Sequence, residues 1–413
     1  MKTLFDIRFS VEKNTVYLQL HLKKGIYRFD TPYRITEKEW NYAEQRPKNP
    51  YTKNAKTIYD GLNRIKIKIA NWFRDEKVDK ADIQQGIQDC LLEAYKQKPI
   101  IKGDYLVHQI NVYIDSRKHI IEPNTLKRYY VFLRLVQRFE GYAMKHFKIK
   151  EVNASFVKQF FLYGTSEDYS PSTLYRTVSF VQTVLNFLEK RGVRTFAYEL
   201  ELPRIKKKTP FVTLTEEELN RIKRTFIPAE LQHARDWLLI SCYTGQRISD
   251  FMNFRSDMLR TIKGKNCLTF QQQKTGKDIL LPLHPEVLHI IKKYQNKFPP
   301  KLSEQLYNRQ IKEIAKLADI HALVYYNKRS GHRSKALQIP KWQAISSHIG
   351  RRSFASNFYG KIPTALLMEA TGHGSESMFH NYINQMDIQR TITLAKYFDH
   401  AYEHSPINEK ADE

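Results

Sequence analysis

Cysteine is scarce in this chain. The three present in 413 residues, Cys90, Cys242 and Cys267, are scattered and odd in number. That excludes a disulfide framework and a cysteine zinc cluster, and it suits a reducing cytoplasm. Long apolar runs are missing too. None reaches the ~18 residues of a membrane span. The alternating N-terminus MKTLFDIRFSVEK lacks the apolar stretch of a secretory signal. Acidic residues are in deficit: 43 Asp and Glu against 68 Lys and Arg leave a formal charge of +25. Such an excess repels itself in a compact state unless a polyanion offsets it. Nucleic acid is favoured over an anionic membrane surface, because the chain shows neither a basic amphipathic anchor nor a lipidation motif. What remains is globular: 41% of residues are hydrophobic, and the length implies about two to four domains.

Residues 1–98 read as a small basic sheet followed by helices. Phe5, Ile7 and Phe9 alternate with polar residues, and so do Val16, Leu18, Leu20 and Leu22 after the turn at EKN. A further turn at KKG precedes Tyr27 and Phe29. Residues 1–70 carry 15 basic and 7 acidic residues, so this sheet is either a reader of a DNA groove or a solvated basic face. Helical patterns follow in IYDGLNRIKIKIANWF and IQQGIQDCLLEAY, and YKQKPIIKGDY reads as a linker. Residues 105–203 predict a bundle of four or so helices. One is TLKRYYVFLRLVQRFEGYAM, capped by Asn124; another begins near Pro171 and stops at Gly192. The basic stretch 204–210, within PRIKKKTP, reads as a hinge. Residues 211–403 predict a mostly helical domain opened by a Thr215–Glu218 capping box, with one hairpin, CLTFQQQ and DILLPL around KTGK. Residues 404–413 form a polar tail. The fold class is mainly α with small β elements, α+β.

Four stretches of the last domain carry cations or protic side chains. In YTGQRISDF an apolar helix breaks at Thr244–Gly245, and Arg247 follows, with Asp250 three residues on to orient it; a surface ion pair of little worth is the plainer alternative. In QQQKTGK, Lys274 sits at a hairpin tip, ready to enter a groove or simply solvated. In SSHIGRRSFASNFYG, Ser346 or Ser347 caps a helix that ends at Gly360, and His348 and Arg351 share one face as an anion cradle; Arg352 points elsewhere. In TGHGSESMFHNY, the short apolar helix that Pro363 starts ends at the glycines flanking His373. Ser375 or Ser377 then caps a helix bearing Tyr382. His348 and His373 are 25 residues apart, with no Cys or carboxylate at ligand spacing, so a metal site is not expected. No G-x-S-x-G elbow and no P-loop is present, and no cofactor is expected.

The order Arg, Lys, His-x-x-Arg, Gly-His, Tyr over about 135 residues resembles that of the tyrosine recombinase (phage integrase) family. The motifs are TGQRISD, QQQKTGK, SHIGRRSFASN and TGHGSESMFHNY, and the resemblance spans about residues 105–400. The sheet in front resembles the arm-binding domain of mobile-element integrases, especially those of Bacteroidetes. The resemblance implies an arm-type DNA-binding domain at 1–98, a SAM-like core-binding bundle at 105–203 and a catalytic domain of the DNA breaking–rejoining type at 211–403. It implies Tyr382 as nucleophile attacking a scissile phosphate, with Arg247, Lys274, His348, Arg351 and His373 as the other catalytic residues and Asp250 behind them. His348 is the general base. Arg247 and Arg351 clamp the non-bridging oxygens, His373 donates to the same phosphate, and Lys274 protonates the departing 5′-oxygen. The product is a 3′-phosphotyrosine with a free 5′-hydroxyl, made without metal or ATP. Implied partners are double-stranded DNA at core and arm sites, three further copies in a homotetramer, and accessory DNA-bending proteins, with no membrane, in the cytoplasm on the nucleoid. The helix DIQRTITLAKYFDHAY, with its stripe of Ile388, Ile392, Ala395 and Phe398, docks on a neighbour or on its own domain. Two other readings are a type IB topoisomerase-like enzyme and a DNA-binding regulator that has lost catalysis.

Overall fold

The computed structural model describes residues 5–23, 25–49, 52–75, 82–95, 103–202, 212–330 and 333–383, with Ala395. The expected hinge at 204–210, most of the linker before residue 103, the C-terminal helix apart from Ala395, and the tail 404–413 lie outside these residues. The chain divides into two compact units: residues 1–207 with 328–335, and the remainder.

The first unit opens with three antiparallel strands in the order β1–β2–β3: β1 (Phe5–Glu12), β2 (Thr15–Leu22) and β3 (Gly25–Arg34). The first hairpin turns on Lys13 and Asn14, both at positive φ, which matches the right-handed twist of the strands. Phe9 faces Leu18 and Val11 faces Val16. The alternation puts Ile7, Phe9, Val11, Val16, Leu18 and Leu20 on one buried face. Two short strands follow, β4 (Trp40–Asn41) and β5 (Arg46–Pro47), then α1 (Lys53–Arg74) and α2 (Ile83–Tyr95). Ile58, Leu62, Ile65 and Ile69 of α1 recur at helical spacing and close the core beneath the sheet.

Four more helices make the bundle: α3 (Leu106–Arg117), α4 (Pro123–Ala143), α5 (Ala154–Ser166) and α6 (Pro171–Glu189). Their core is aromatic, with Phe139 stacked on Phe147 and edge-on to Phe156 and Phe160. Asn124 does not cap α4. Pro123 occupies the first helical turn and Glu122 the cap position, because proline's fixed φ suits that turn and its missing N–H is no loss there. Ser170 caps α6 as a serine before proline should, accepting from the Thr173 amide.

The sheet module and the bundle keep separate apolar clusters but meet along a polar seam. Arg46 of β5 pairs with Glu167, just past α5, and donates to the Tyr59 hydroxyl at 3.2 Å. Arg138 of α4 donates to Tyr169 at 2.9 Å and lies over the Tyr59 ring. Arg74 reaches the Met144 carbonyl at 2.7 Å. Gly141 faces Asn63 so closely that a β-carbon there would stand 2.3 Å from the amide carbon. The expected boundary between residues 98 and 105 thus falls inside one compact unit.

The second unit is organised on α8 (Gln232–Thr244), preceded by α7 (Glu216–Arg224) with the expected Thr215–Glu218 capping box. Trp237, Leu238, Ile240 and Cys242 of α8 are buried. The one-turn helix α9 (Ile248–Phe251) leads to a three-stranded antiparallel sheet of β6 (Leu259–Ile262), β7 (Lys265–Gln271) and β8 (Asp278–Pro282). The single hairpin expected here is therefore one edge of a larger sheet. After α10 (Pro285–Lys293) and α11 (Glu304–Leu317) comes a second hairpin that periodicity did not reveal, β9 (Leu323–Ser330) with β10 (Arg333–Pro340), whose residues 328–335 are grouped with the first unit. Then follow α12 (Lys341–Ala344), α13 (Ile349–Phe358), α14 (Thr364–Thr371) and α15 (Glu376–His380). The Ser353 hydroxyl of α13 accepts from the Leu214 amide at 2.8 Å, tying that helix to the start of the unit.

Candidate active site

Helix ends deliver the site's side chains. α8 ends in a left-handed Gly245, and the chain turns to place Arg247 at the cap position of α9. α13 begins immediately after His348, whose backbone is the cap; neither Ser346 nor Ser347 caps it with a side chain. The Ser347 amide instead donates to Asn308 at 2.7 Å. α14 ends at Gly372, whose φ of 71° opens the turn that presents His373. A β-carbon on Gly372 would lie 2.5 Å from the Gln272 amide oxygen, so close approach as well as φ demands glycine here. Ser375 caps α15, and Tyr382 stands in the turn just beyond that helix rather than on it. Phe379, fully buried, anchors the turn; the Tyr382 amide donates to its carbonyl at 2.8 Å.

Arg351 is the centre of the site. It is wholly buried. Its Nη1 donates to the Gly245 carbonyl at 3.0 Å and its Nη2 to His373 Nε2 at 3.0 Å. Its carbon Cζ lies 5.4 Å from the centre of the Tyr382 ring, and the His373 and Tyr382 rings are 4.9 Å apart. Its Nε has no hydrogen-bond partner. Burial and the charge of Arg247 push its pKa below the usual guanidinium range, with Tyr382 and Asp250 opposing.

The protons around His373 follow from its neighbours. The Thr371 hydroxyl donates to the Leu367 carbonyl at 2.6 Å, so it accepts from His373 Nδ1 at 2.8 Å. Nε2 is then the unprotonated nitrogen and accepts from Arg351. A second proton would set donor against donor. Burial and then Arg351, Arg247 and Lys277 lower the His373 pKa to about 3. In this state His373 accepts from Arg351 at Nε2 and donates only from Nδ1, to Thr371.

Arg247 is half-buried, and its Nη1 donates to Gln272 Oε1 at 3.1 Å rather than to Asp250. Asp250, buried, accepts from the Gln273 amide at 3.0 Å, while its second oxygen has no partner. It holds the turn after β7 instead of orienting Arg247. His348 is exposed at the rim of the site. Partial desolvation, then the charges of Arg352 and Arg351, lower its pKa, so its basic nitrogen is free at neutral pH. Lys274 stands exposed on the turn between β7 and β8, outside the buried cluster. Residues 245–247, 348–351 and 371–382 thus converge, with Lys274 at the margin. The residues missed from sequence are neutral: Gln246, Gln272, Thr275 and Thr371. The only signal for two of them was a glutamine just before each cation, Gln246 next to Arg247 in GQR and Gln272 two residues before Lys274 in QQQK. Among the described residues, no three His, Cys, Asp or Glu side chains gather as a metal site, and no helix is long and apolar enough to cross a membrane.

A half-buried tyrosine thus stands beside a buried arginine. Residues 212–388 match the family model described as the phage integrase family. A tyrosine recombinase of Thermosipho africanus (strain TCF52B) is 26% identical over 301 residues, covering 71% of this chain and 97% of that protein. Among solved structures, the Tn1549 transposon integrase in complex with a circular intermediate DNA is similar with a TM-score of 0.52 at 16% identity, over 71% of this chain and 100% of that one. XerH site-specific recombinase bound to a palindromic difH substrate gives 0.51 at 16% identity, over 83% of this chain and 96% of that one. A lambda integrase (75–356) dimer bound to a COC′ core site gives 0.51 at 16% identity, over 66% and 93%. At such identities the structural likeness establishes the fold, mainly helical with small antiparallel sheets. The part of the chain that matches the phage integrase family model, residues 212–388, is the part in which Arg247, Arg351, His373 and Tyr382 converge.

Proposed function

We propose that this protein cleaves and rejoins double-stranded DNA at specific sites through a 3′-phosphotyrosine, integrating or excising a mobile element from the cytoplasm, on the nucleoid. The observation that carries this reading is the buried Arg351. It has neutral acceptors, an unpartnered Nε, and Tyr382 against its face. A scissile phosphate supplies the anion that the clamp lacks.

Each side chain then has a role. Tyr382 Oη attacks phosphorus and its proton passes to His348, neutral at working pH. Arg247 and Arg351 hold the two non-bridging oxygens with planar forks that keep their charge. As Arg351 turns Nη2 to a phosphate oxygen, His373 Nε2 loses its donor. A shift of the imidazole proton from Nδ1 to Nε2, with the Thr371 hydroxyl rotating to donate to Nδ1, lets His373 serve the phosphate too. Lys274 swings in on its exposed turn and gives a proton to the leaving 5′-oxygen. One P–O bond forms and one breaks, so the linkage conserves the energy for rejoining. The basic sheet of residues 1–98 is suited to arm sites and the bundle of 105–203 to core sites. Four copies and accessory bending proteins would assemble the synapse.

A duplex nicked beside the scissile bond tests the reading. The expected result is a covalent adduct on the 3′ side, formed without metal or nucleotide, whose proteolytic fragment maps to Tyr382. Tight binding to a cognate site with no adduct would make the protein a regulator instead.

A further inference from the structure

The side chain of Gln272, at the end of β7, is only 1% exposed. All four of its hydrogen-bonding sites are used. Oε1 accepts from Arg247 Nη1 at 3.1 Å and from the Thr275 hydroxyl at 2.8 Å. Nε2 donates to Gln246 Oε1 and to the Thr371 carbonyl, both at 3.0 Å. The opposite amide orientation would set donors against Arg247 and an acceptor against a carbonyl, so the network fixes it. Its main chain closes the turn bearing Lys274: its carbonyl accepts from Gly276 at 2.8 Å and its amide donates to Lys277 at 2.9 Å. Gln246 continues the network, donating to the carbonyls of Thr244 at 2.8 Å and Ala370 at 2.6 Å. One amide therefore joins three separate segments: the loop of Arg247, the turn of Lys274 and the glycine loop of His373.

We propose that Gln272 is the positioning residue of the site, fixing the Arg247 fork and the Lys274 turn relative to the His373 loop. This rests on the recombinase reading. Gln272 touches no substrate; it acts through the groups it aligns. A neutral partner suits that task. A carboxylate at this place would pair with Arg247 and compete with the phosphate for it, whereas an amide oxygen aligns the fork and leaves its charge available.

The test is a double-mutant cycle on single-turnover cleavage of a nicked duplex. Gln272→Met keeps the side-chain volume and removes the hydrogen bonds. It should slow cleavage about 10- to 100-fold while DNA affinity stays within about twofold. With Arg247→Ala already in place, Gln272→Met should cost less than about threefold more, because its effect runs through Arg247. A duplex with methylphosphonate at the scissile position, where one charged oxygen is absent, should shrink the defects of Gln272→Met and Arg247→Ala together. Should Gln272→Met fail to fold, Gln246→Ala breaks the network on the side away from Arg247, and the same pattern is expected at smaller size. Defects that multiply across the cycle, or that persist unchanged on methylphosphonate, would overturn the positioning role. A wild type that forms no adduct would overturn the recombinase reading and this role with it; a wild-type adduct with multiplying defects overturns this role alone.

Discussion

Two arginines in this molecule, one half-buried and one wholly buried, are treated in opposite ways. Arg46 lies in the seam of the first unit, where burial alone would disfavour its charge. Tyr59 and Glu167 outweigh that cost, and its pKa is raised. Arg351 lies in the candidate active site of the second unit. Burial and Arg247 act against its charge, the nearest acceptors are a carbonyl and an imidazole, and its pKa is lowered. The first cation is satisfied by the protein and can only hold structure together. The second is held in place by neutral acceptors and left short of an anion, which is the feature that the proposed phosphodiester chemistry uses.

The sharpest cut between the two is at Tyr382, the proposed nucleophile. Tyr382→Phe removes one oxygen from a half-buried ring, so covalent adduct should vanish from nicked substrate while binding keeps its steep salt dependence. An adduct formed by this variant would point to another tyrosine, with Tyr359 first to examine. Next come the arginines themselves. Arg351→Met should cut single-turnover cleavage by about 10²–10³-fold and leave the Tm unchanged or higher, because an unfavourably buried charge is gone. Arg46→Met should do the reverse, destabilising by about 3 kcal/mol or more by orphaning Glu167, with cleavage by the folded protein near normal. Calorimetry and cleavage on the same two samples would show whether the contrast holds. Lys274→Ala should slow cleavage by about 10²-fold without weakening binding, and a 5′-bridging sulfur, a better leaving atom, should restore it. If sulfur gives no rescue, Lys274 only positions DNA.

The smallest effect concerns His373. Its folded pKa, about 3, lies below the unfolded value of about 6.5. Between those limits the unfolded chain binds more protons, so this group's contribution to stability rises with pH and is complete above about 6.5. Relative to wild type, His373→Gln should flatten the fall in stability between pH 6 and 4 by up to about 1.4 kcal/mol per pH unit. Equal slopes for the two proteins would mean that the imidazole titrates normally.

The charged and protic residues that converge at the candidate site were legible in the sequence because the proposed chemistry restricts which residue types serve, and the motifs keep them in order. Neutral organisers were not. Nothing in QQQK says which glutamine turns inward; only the packing of Gly372 against Gln272 does. Asp250 looked like a partner of Arg247 because one helical turn separates them, but Arg247 is the cap residue and its side chain points to β7. Tyr382 was placed on a helix that ends at His380, since the signals for a helix start are stronger than those for its stop. In the first unit, alternation revealed β1 and β2 through their buried face. The seam was invisible, because Arg46 and Glu167 are far apart in the chain and each reads as a surface charge. In β9–β10 a run of basic residues masks the alternation.

That seam bears on how such chains are put together. If the N-terminal sheet were an interchangeable head, any other head could be joined near residue 100. Here Arg46, Tyr59 and Asn63 on one side are cut to fit Glu167, Arg138 and Gly141 on the other. A graft at that point brings a foreign surface against a half-buried carboxylate and a notch shaped for an asparagine. The natural unit of exchange is therefore the sheet and bundle together, and a productive crossover belongs after residue 202, where the pair is inherited whole.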